Sequence, residues 1–405
     1  MKSAPETEIN SIPIKVCIVG GGNAAQAMAA LFPHQGIPCN MFVPYGDEAE
    51  RIQRAIDDQG FIVAEFASHN EPSGEVRGKP DKISQNAADV VPDCNVLILP
   101  LPSFAYRDVI SQIKPYLQKG TYIGATPGQG GFDWLAKEVL GDVAEDIVLF
   151  SILPMPFNCR IIEFGKRVYV QEFKRRYKIG ATPAEHCDGA VTINNQLFGY
   201  SESCGNSLSC SLYPINAVIH PARLYALCKD WQPGTFLAEN PLFYEDINDE
   251  SAELMDAVSK EVIDIAQALT DAGIEGVSVP HIQDFLVHYV YRDPSPTLKD
   301  FFATNRAYKG FRCPFLENKN GWIPDFANRY FTEDIPLGLC LYKGVAEIVG
   351  VETPVICKIL NWAQAHMGKE YLVDGHLTGR DVNETACPQR FGITTVEQLK
   401  TLSEV

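Results

Sequence analysis

The chain has 405 residues, 46% hydrophobic and 21% charged, an ordinary make-up for a soluble enzyme-sized protein and too long for one compact core, so two domains are expected. A formal charge of −17 excludes the positive footprint that nucleic acid requires, and no apolar run reaches the ~18 residues of a membrane span. Twelve scattered cysteines without one C-x-x-C exclude zinc-ligand spacing and a disulfide framework, so no metal is expected and the thiols read as reduced.

The first 13 residues, "MKSAPETEINSIP", are polar and acidic and read as a flexible tail rather than a signal peptide. With the reduced thiols, this points to a cytoplasmic protein. Alternation then begins. A strand over 14–19 leads into a helix over 23–33, stopped by Pro33. "CNMFVP" (39–44) is a second strand, and Asp47 to Ile56 has the spacing of a helix with acids in its first turn. "NVLILPL" (95–101), "TYIGAT" (121–126) and "IVLFSI" (147–152) are short apolar runs bounded by turn residues, the pattern of buried parallel strands. Val-rich runs around 168–171 and 190–193 predict two more strands. The basic cluster Lys174, Arg175, Arg176 and Lys178 reads as a solvated turn.

After about residue 205 strand-like runs nearly vanish. In 250–273, Leu254, Val258, Val262, Ile265 and Leu269 form one stripe that ends at Gly273. Two more helices open at Pro336 and Pro354 and stop at Gly350 and Gly368. The expected architecture is a Rossmann-like, doubly wound α/β domain over 14–205, then an all-α domain over 206–405.

"KVCIVGGGNAAQAMAAL" (15–31) carries the clearest motif. Gly20-x-Gly22-x-x-Ala25 fits the dinucleotide fingerprint: a tight turn, a bare backbone for the pyrophosphate, and a small residue where helix meets strand. The candidate cofactor stretch is Gly20, Gly21, Gly22, Asn23, Ala24 and Ala25, at a helix N-terminus whose free N–H groups suit phosphate. The acidic ribose partner expected about 20 residues on falls at Tyr45, with Asp47 and Glu48 just beyond. No Arg or Lys lies between Ala25 and Arg51, so a 2′-phosphate meets no cation and NAD is favoured over NADP.

Two further features have bland readings when taken alone. His220, in "SLYPINAVIHPARLY", stands one turn after Asn216 and reads as an ordinary core or surface histidine among eight. Asp325, Arg329, Glu333 and Asp334 crowd into "PDFANRYFTEDIPLG" (324–338), where acids before Pro336 cap a helix.

A resemblance changes both readings. "CIVGGGNAAQ", "FNCRIIEFG", "IHPARL", "ENPLFYEDI", "TNRAYKG", "PDFANRYFTEDIPLGL" and "MGKEYLVDGHLTGRDVNETACPQRFG" resemble the opine dehydrogenases, the octopine dehydrogenase group of marine invertebrates, from about residue 15 to 395. The resemblance implies a nicotinamide-binding first domain, an all-α second domain and a site in the cleft between them. It implies NADH-dependent reductive condensation of an α-keto acid, typically pyruvate, with the amino group of an amino acid, by a monomer in anaerobic glycolysis. By motif, His220 takes the place of the catalytic histidine and Asp334 and Arg329 those of its partners. Gln129, in "TPGQGGF", falls where the family contacts the keto acid. "LPMPF" (153–157) and "IQDFLVHY" (282–289) depart from the octopine type, which favours glycine, alanine, β-alanine or taurine over arginine.

The chemistry suits these residues. A positioned acid must protonate the departing oxygen as the imine forms, and histidine titrates near neutrality. A carboxylate behind it, Asp334, fixes its tautomer, and Arg329 can clamp a substrate carboxylate. An opine carries two acidic groups, so a second cation is needed, and Arg160 is a candidate. The rival readings are a two-domain dehydrogenase of the glycerol-3-phosphate or ketopantoate type, whose usual lysine is missing from "SLSCSLYPINAVIHP", and a non-catalytic NAD sensor.

Overall fold

The computed structural model describes residues 13–213 and 215–404. Apart from Pro13, the stretch read as a flexible tail lies outside them. The first half carries β1 (Val16–Val19), β2 (Cys39–Phe42), β3 (Ile62–Phe66), β4 (Gly74–Gly78), β5 (Lys82–Ser84), β6 (Val96–Leu99), β7 (Tyr122–Ala125), β8 (Val148–Leu153), β9 (Phe157–Glu163), β10 (Arg167–Phe173), β11 (Arg176–Thr182) and β12 (Tyr200–Ser203). Eight of them make one sheet in the order β12-β11-β8-β7-β6-β1-β2-β5. Its centre is parallel, and β11 returns antiparallel to β8.

Burial on both faces explains the unbroken apolar runs. In β1, Val16 and Ile18 enter one core layer while Cys17 and Val19 enter the layer behind the sheet. Strand order reverses beside β1, with β2 on one side and β6 on the other. The loops at the C-terminal ends of β1 and β6 therefore border the crevice where doubly wound sheets take ligands.

The alanine-rich helix Asn23–His34 lies between this sheet and a second one, β4-β3-β10-β9. Small side chains let both approach closely. A Cβ on Gly78 of β4 would come 2.3 Å from the Ala30 carbonyl oxygen. Pro33 falls inside the helix, which ends one residue later than predicted. The predicted strand at 190–193 is instead helix Cys187–Leu197, whose buried Ala190, Ile193, Asn194 and Leu197 follow helical spacing.

The second half is helical, with one small hairpin, Phe315–Asn318 and Gly321–Pro324, that the sequence reading did not anticipate. Its longest helix, Asp249–Asp271, is capped by the Asn248 side chain accepting from Ser251 N–H. Val258, Val262, Ile265 and Leu269 line its buried face; Leu254 is only half-buried and Met255 takes the core position. Trp134 of the first half packs into the helical core and stacks on Phe391 at 6.2 Å. Ser207 donates to buried Asp133 at 2.9 Å, tying the first helix after β12 to the first half. No helix among the described residues is long and apolar enough to cross a membrane.

Candidate active site

The glycine turn is built to leave backbone bare. Gly20 has φ +108° and its N–H donates to Phe42 at the end of β2. Gly22 is the N-cap of helix Asn23–His34 and supplies no side chain to its first N–H groups. A Cβ added there would meet nothing within 4 Å, so the space beside this helix end is open, a cradle suited to a pyrophosphate. Buried Gln26 braces the turn from behind, donating to the Gly21 carbonyl at 2.9 Å and accepting from Gly165 N–H at 3.0 Å. The Asn23 side chain is already engaged, accepting from Ile161 N–H at 2.8 Å. Ala24 and Ala25 are buried helix packing.

After β2 the acidic residue nearest the turn is Glu48. Its Oε2 would lie 2.6 Å from a Cβ on Gly21, and burial pushes its carboxyl up, against the pull of Arg51. Asp47 faces Arg51 instead, at 3.7 Å.

His220 sits on helix Asn216–Cys228, 4% exposed. Its Nδ1 lies 2.7 Å from Asp334 Oδ2 and its Nε2 3.0 Å from the Tyr244 hydroxyl. A carboxylate only accepts, so Nδ1 carries the proton, and in the neutral ring Nε2 accepts from Tyr244. Tyr330 stacks on the imidazole at 3.9 Å and Phe243 meets it edge-on at 5.3 Å. The segment 324–338 therefore does more than cap a helix: it sends Asp334 across to a histidine 114 residues away in sequence.

The neighbouring carboxyl, Glu333, points to the other half and accepts from Ser103 N–H at 3.0 Å. Burial raises its carboxyl, helped by Asp334 and opposed by Arg329. Arg329 itself is largely exposed and lies 3.2 Å from Glu333 Oε2, one turn along its own helix. Ser103, Gln129 and Gly130 of the first half line a narrow cavity with Ser211, Glu333 and Asp334 of the second, with room for about one water. Gln129 and Asp334 thus share a wall between the domains, while Arg329 sits at the edge. Arg160, on β9, lies over the Phe311 ring at 5.2 Å, and Phe311 packs on Tyr244 at 6.0 Å.

Tyr244, Tyr330 and Ser103 had no role in the sequence reading, and Glu333 had only that of a helix-capping acid. Tyr244 and Tyr330 do stand inside "ENPLFYEDI" and "NRYFTED", but a tyrosine reads as packing until the Tyr244 hydroxyl and the Tyr330 ring are seen on the imidazole.

Comparison with known proteins gives the family. Residues 203–367 match the family model described as NAD/NADP octopine/nopaline dehydrogenase, alpha-helical domain. The chain is 33% identical to tauropine dehydrogenase of Arabella iricolor over 95% of its length and all of that protein's. It is 34% identical to octopine dehydrogenase of Pecten maximus, covering 96% of this chain and 99% of that one. A solved octopine dehydrogenase with NADH and L-arginine superposes with a TM-score of 0.85 at 32% identity, over 96% of this chain and 98% of that chain. The chain belongs to the opine dehydrogenase family and is an NAD-dependent oxidoreductase.

Proposed function

We propose that this enzyme condenses pyruvate with the amino group of a small amino acid or taurine and reduces the imine at the expense of NADH, regenerating NAD in anaerobic glycolysis in the cytoplasm. The observation that carries the reading is the buried Asp334–His220 pair, whose Asp334 lines the inter-domain cavity that Gln129 closes from the other side. In this reading, Gly20 to Ala25 hold the dinucleotide, and the bound nicotinamide supplies the hydride. His220 moves the proton that lets the carbinolamine oxygen leave as water. Asp334 holds the imidazole in its working tautomer and balances the imidazolium. Gln129 orients the keto acid, Arg329 at the edge clamps one acidic group, and Arg160 from the facing domain is the candidate for the second.

The small amine is favoured because 153–157 offers leucine, methionine, phenylalanine and two prolines, none of which accepts a hydrogen bond from a guanidinium as a carboxylate would. Leu153 and Phe157 are buried. At 284–291 the acid Asp284 faces solvent beside His288, and Phe285, Leu286 and Val287 are core. The test is a panel of amines assayed with NADH and pyruvate by nicotinamide absorbance. Glycine, alanine, β-alanine or taurine should exceed arginine in kcat/KM. Arginine as the best amine refutes the substrate reading, and no turnover with any amine refutes the reaction.

A further inference from the structure

We infer that Glu333 is a second acid–base group of this site and takes the proton from the ammonium of the incoming amine. The inference rests on the condensation proposed above. An amino acid or taurine arrives as an ammonium, which has no lone pair. No C–N bond forms until a proton leaves it. His220 serves that reaction as an acid, so the base has to be another group.

The inter-domain cavity offers one. Its wall carries two carboxyls, Glu333 and Asp334, and among the described residues that line it none is a lysine, arginine or histidine. Such a wall draws an ammonium and repels the carboxylate of a keto acid. Asp334 is committed, with Oδ2 on the imidazole. Glu333 is 6% exposed, and its two oxygens differ. Oε1 accepts from Ser103 N–H across the cleft, whereas Oε2 accepts no hydrogen bond from any described residue. Arg329 stands 3.2 Å from Oε2. When it turns to clamp a substrate carboxylate, Oε2 is left for the ammonium. Ser103 belongs to the first half, so parting the halves bares Glu333 to entering substrates. Burial raises its carboxyl, helped by Asp334 and opposed by Arg329, and Tyr106 of the first half is the other titratable group close to it. A raised carboxyl is a stronger base, better matched to an ammonium.

The step balances. One ammonium N–H bond breaks and its proton joins Glu333 Oε2. The freed lone pair forms the C–N bond with the keto carbon, and the C=O π pair moves onto oxygen. Glu333 then returns the proton to that oxygen. The carboxylate is restored, and the carbinolamine, still charged on nitrogen, goes on to the loss of water that His220 serves.

Glu333→Gln keeps the shape and an acceptor for Ser103 N–H but is no base. Near pH 7, with NADH and pyruvate saturating, turnover of the best amine should fall by roughly 10²-fold. Saturation keeps a weaker hold on Ser103 out of the comparison. NADH affinity should stay at the wild-type value. The variant can use only amine that is already neutral, so its rate relative to wild type should climb as pH rises from about 7 to about 9. Glu333→Ala should climb in the same way and carries the test should the glutamine protein not fold. Glu333→Asp, which keeps a carboxylate, should lose rate without the climb. A merely structural role lowers the rate by one factor at every pH. A flat ratio in Glu333→Gln or Glu333→Ala therefore overturns the inference, as does a wild-type rate in either, and wild-type turnover then leaves the condensation standing. No turnover of any amine by the wild type overturns the condensation and the inference with it.

Discussion

Single residues in this protein show how burial decides chemistry. Lys174 belongs to the cluster expected to be a solvated turn, yet it is 6% exposed, its ammonium held by the neutral Asn158 side chain at 2.8 Å. Burial lowers it from 10.5 to about 8, with Glu172 pulling the other way. A base lowered in the folded state costs stability while protonated, and the cost fades as pH rises from the folded to the unfolded value. A shift of this size corresponds to about 3 kcal/mol at neutral pH. Lys174→Met should therefore gain stability relative to wild type near pH 7, and that gain should shrink between about pH 8 and 10.5. Paired thermal melts of the two proteins across this range check it, since the other buried groups titrate alike in both. A difference that stays flat with pH would show that Lys174 is not a buried cation. The contrast with Arg329 is instructive: it was expected at the centre of the chemistry and stands largely exposed beside Glu333.

At the scale of elements, the glycine turn joins sequence to function. Gly22→Val should leave the melting temperature of the cofactor-free protein almost unchanged, because the new side chain enters open space at an ordinary φ of −76°. NADH binding, read by fluorescence titration, should be lost, since the same space is the pyrophosphate's. A folded Gly22→Val protein that still binds NADH would remove the glycine turn from the site. Gly20→Val should instead destabilise the fold, as φ is +108° and Leu101 would lie 2.8 Å from the Cβ. Glu48, brought against Gly21, is the residue expected to set the cofactor preference. NADH should outperform NADPH at least about tenfold in kcat/KM, and Glu48→Gln should narrow the gap by removing a like charge beside the 2′-phosphate. Equal use of both cofactors by the wild type would refute this. The parallel strands and this turn were legible because their pattern is local: short apolar runs, glycines at fixed offsets, an alanine helix. β3, β4 and β9, in the second sheet, were less so: β3 finds β10 far along the chain, and β4 and β9 pair with near neighbours but are exposed along much of their length, so no unbroken apolar run marks them. The run near 190 misled because three β-branched residues in a row, Val191, Thr192 and Ile193, suggest a strand, while the helical spacing of Ala190, Ile193 and Leu197 was the stronger signal. His220 and Asp334 could be linked only through resemblance, because 114 residues of chain separate them and no period spans that gap.

The two halves of the protein are pressed together. Glu333 holds the Ser103 N–H, Asn158 donates to the Ala307 carbonyl at 2.9 Å, and Tyr289 donates to the Tyr177 carbonyl at 2.8 Å. The cavity between Gln129 and Asp334 then has room for about one water. A keto acid and an amine are several times larger, so turnover requires the halves to part and to close again around their substrates. Closing excludes water and brings Gln129 to the dyad, and the contacts that must break to open are a few hydrogen bonds plus the edge of the helical core. Each such bond is worth about 1 kcal/mol net, so a handful is comparable to the binding energy a small substrate can supply. The protein free of substrates should therefore populate an opened form with a radius of gyration above the ~22 Å of a compact chain of this length. Adding NADH with pyruvate should contract it. X-ray scattering titrations check this: a radius already at the compact value without ligands, and unmoved by them, would mean that the substrates enter by local side-chain motion alone. Glu333→Gln supplies the matching variant, as a weaker hold on Ser103 should raise the open population and the KM for pyruvate while leaving the affinity of the first domain for NADH alone unchanged.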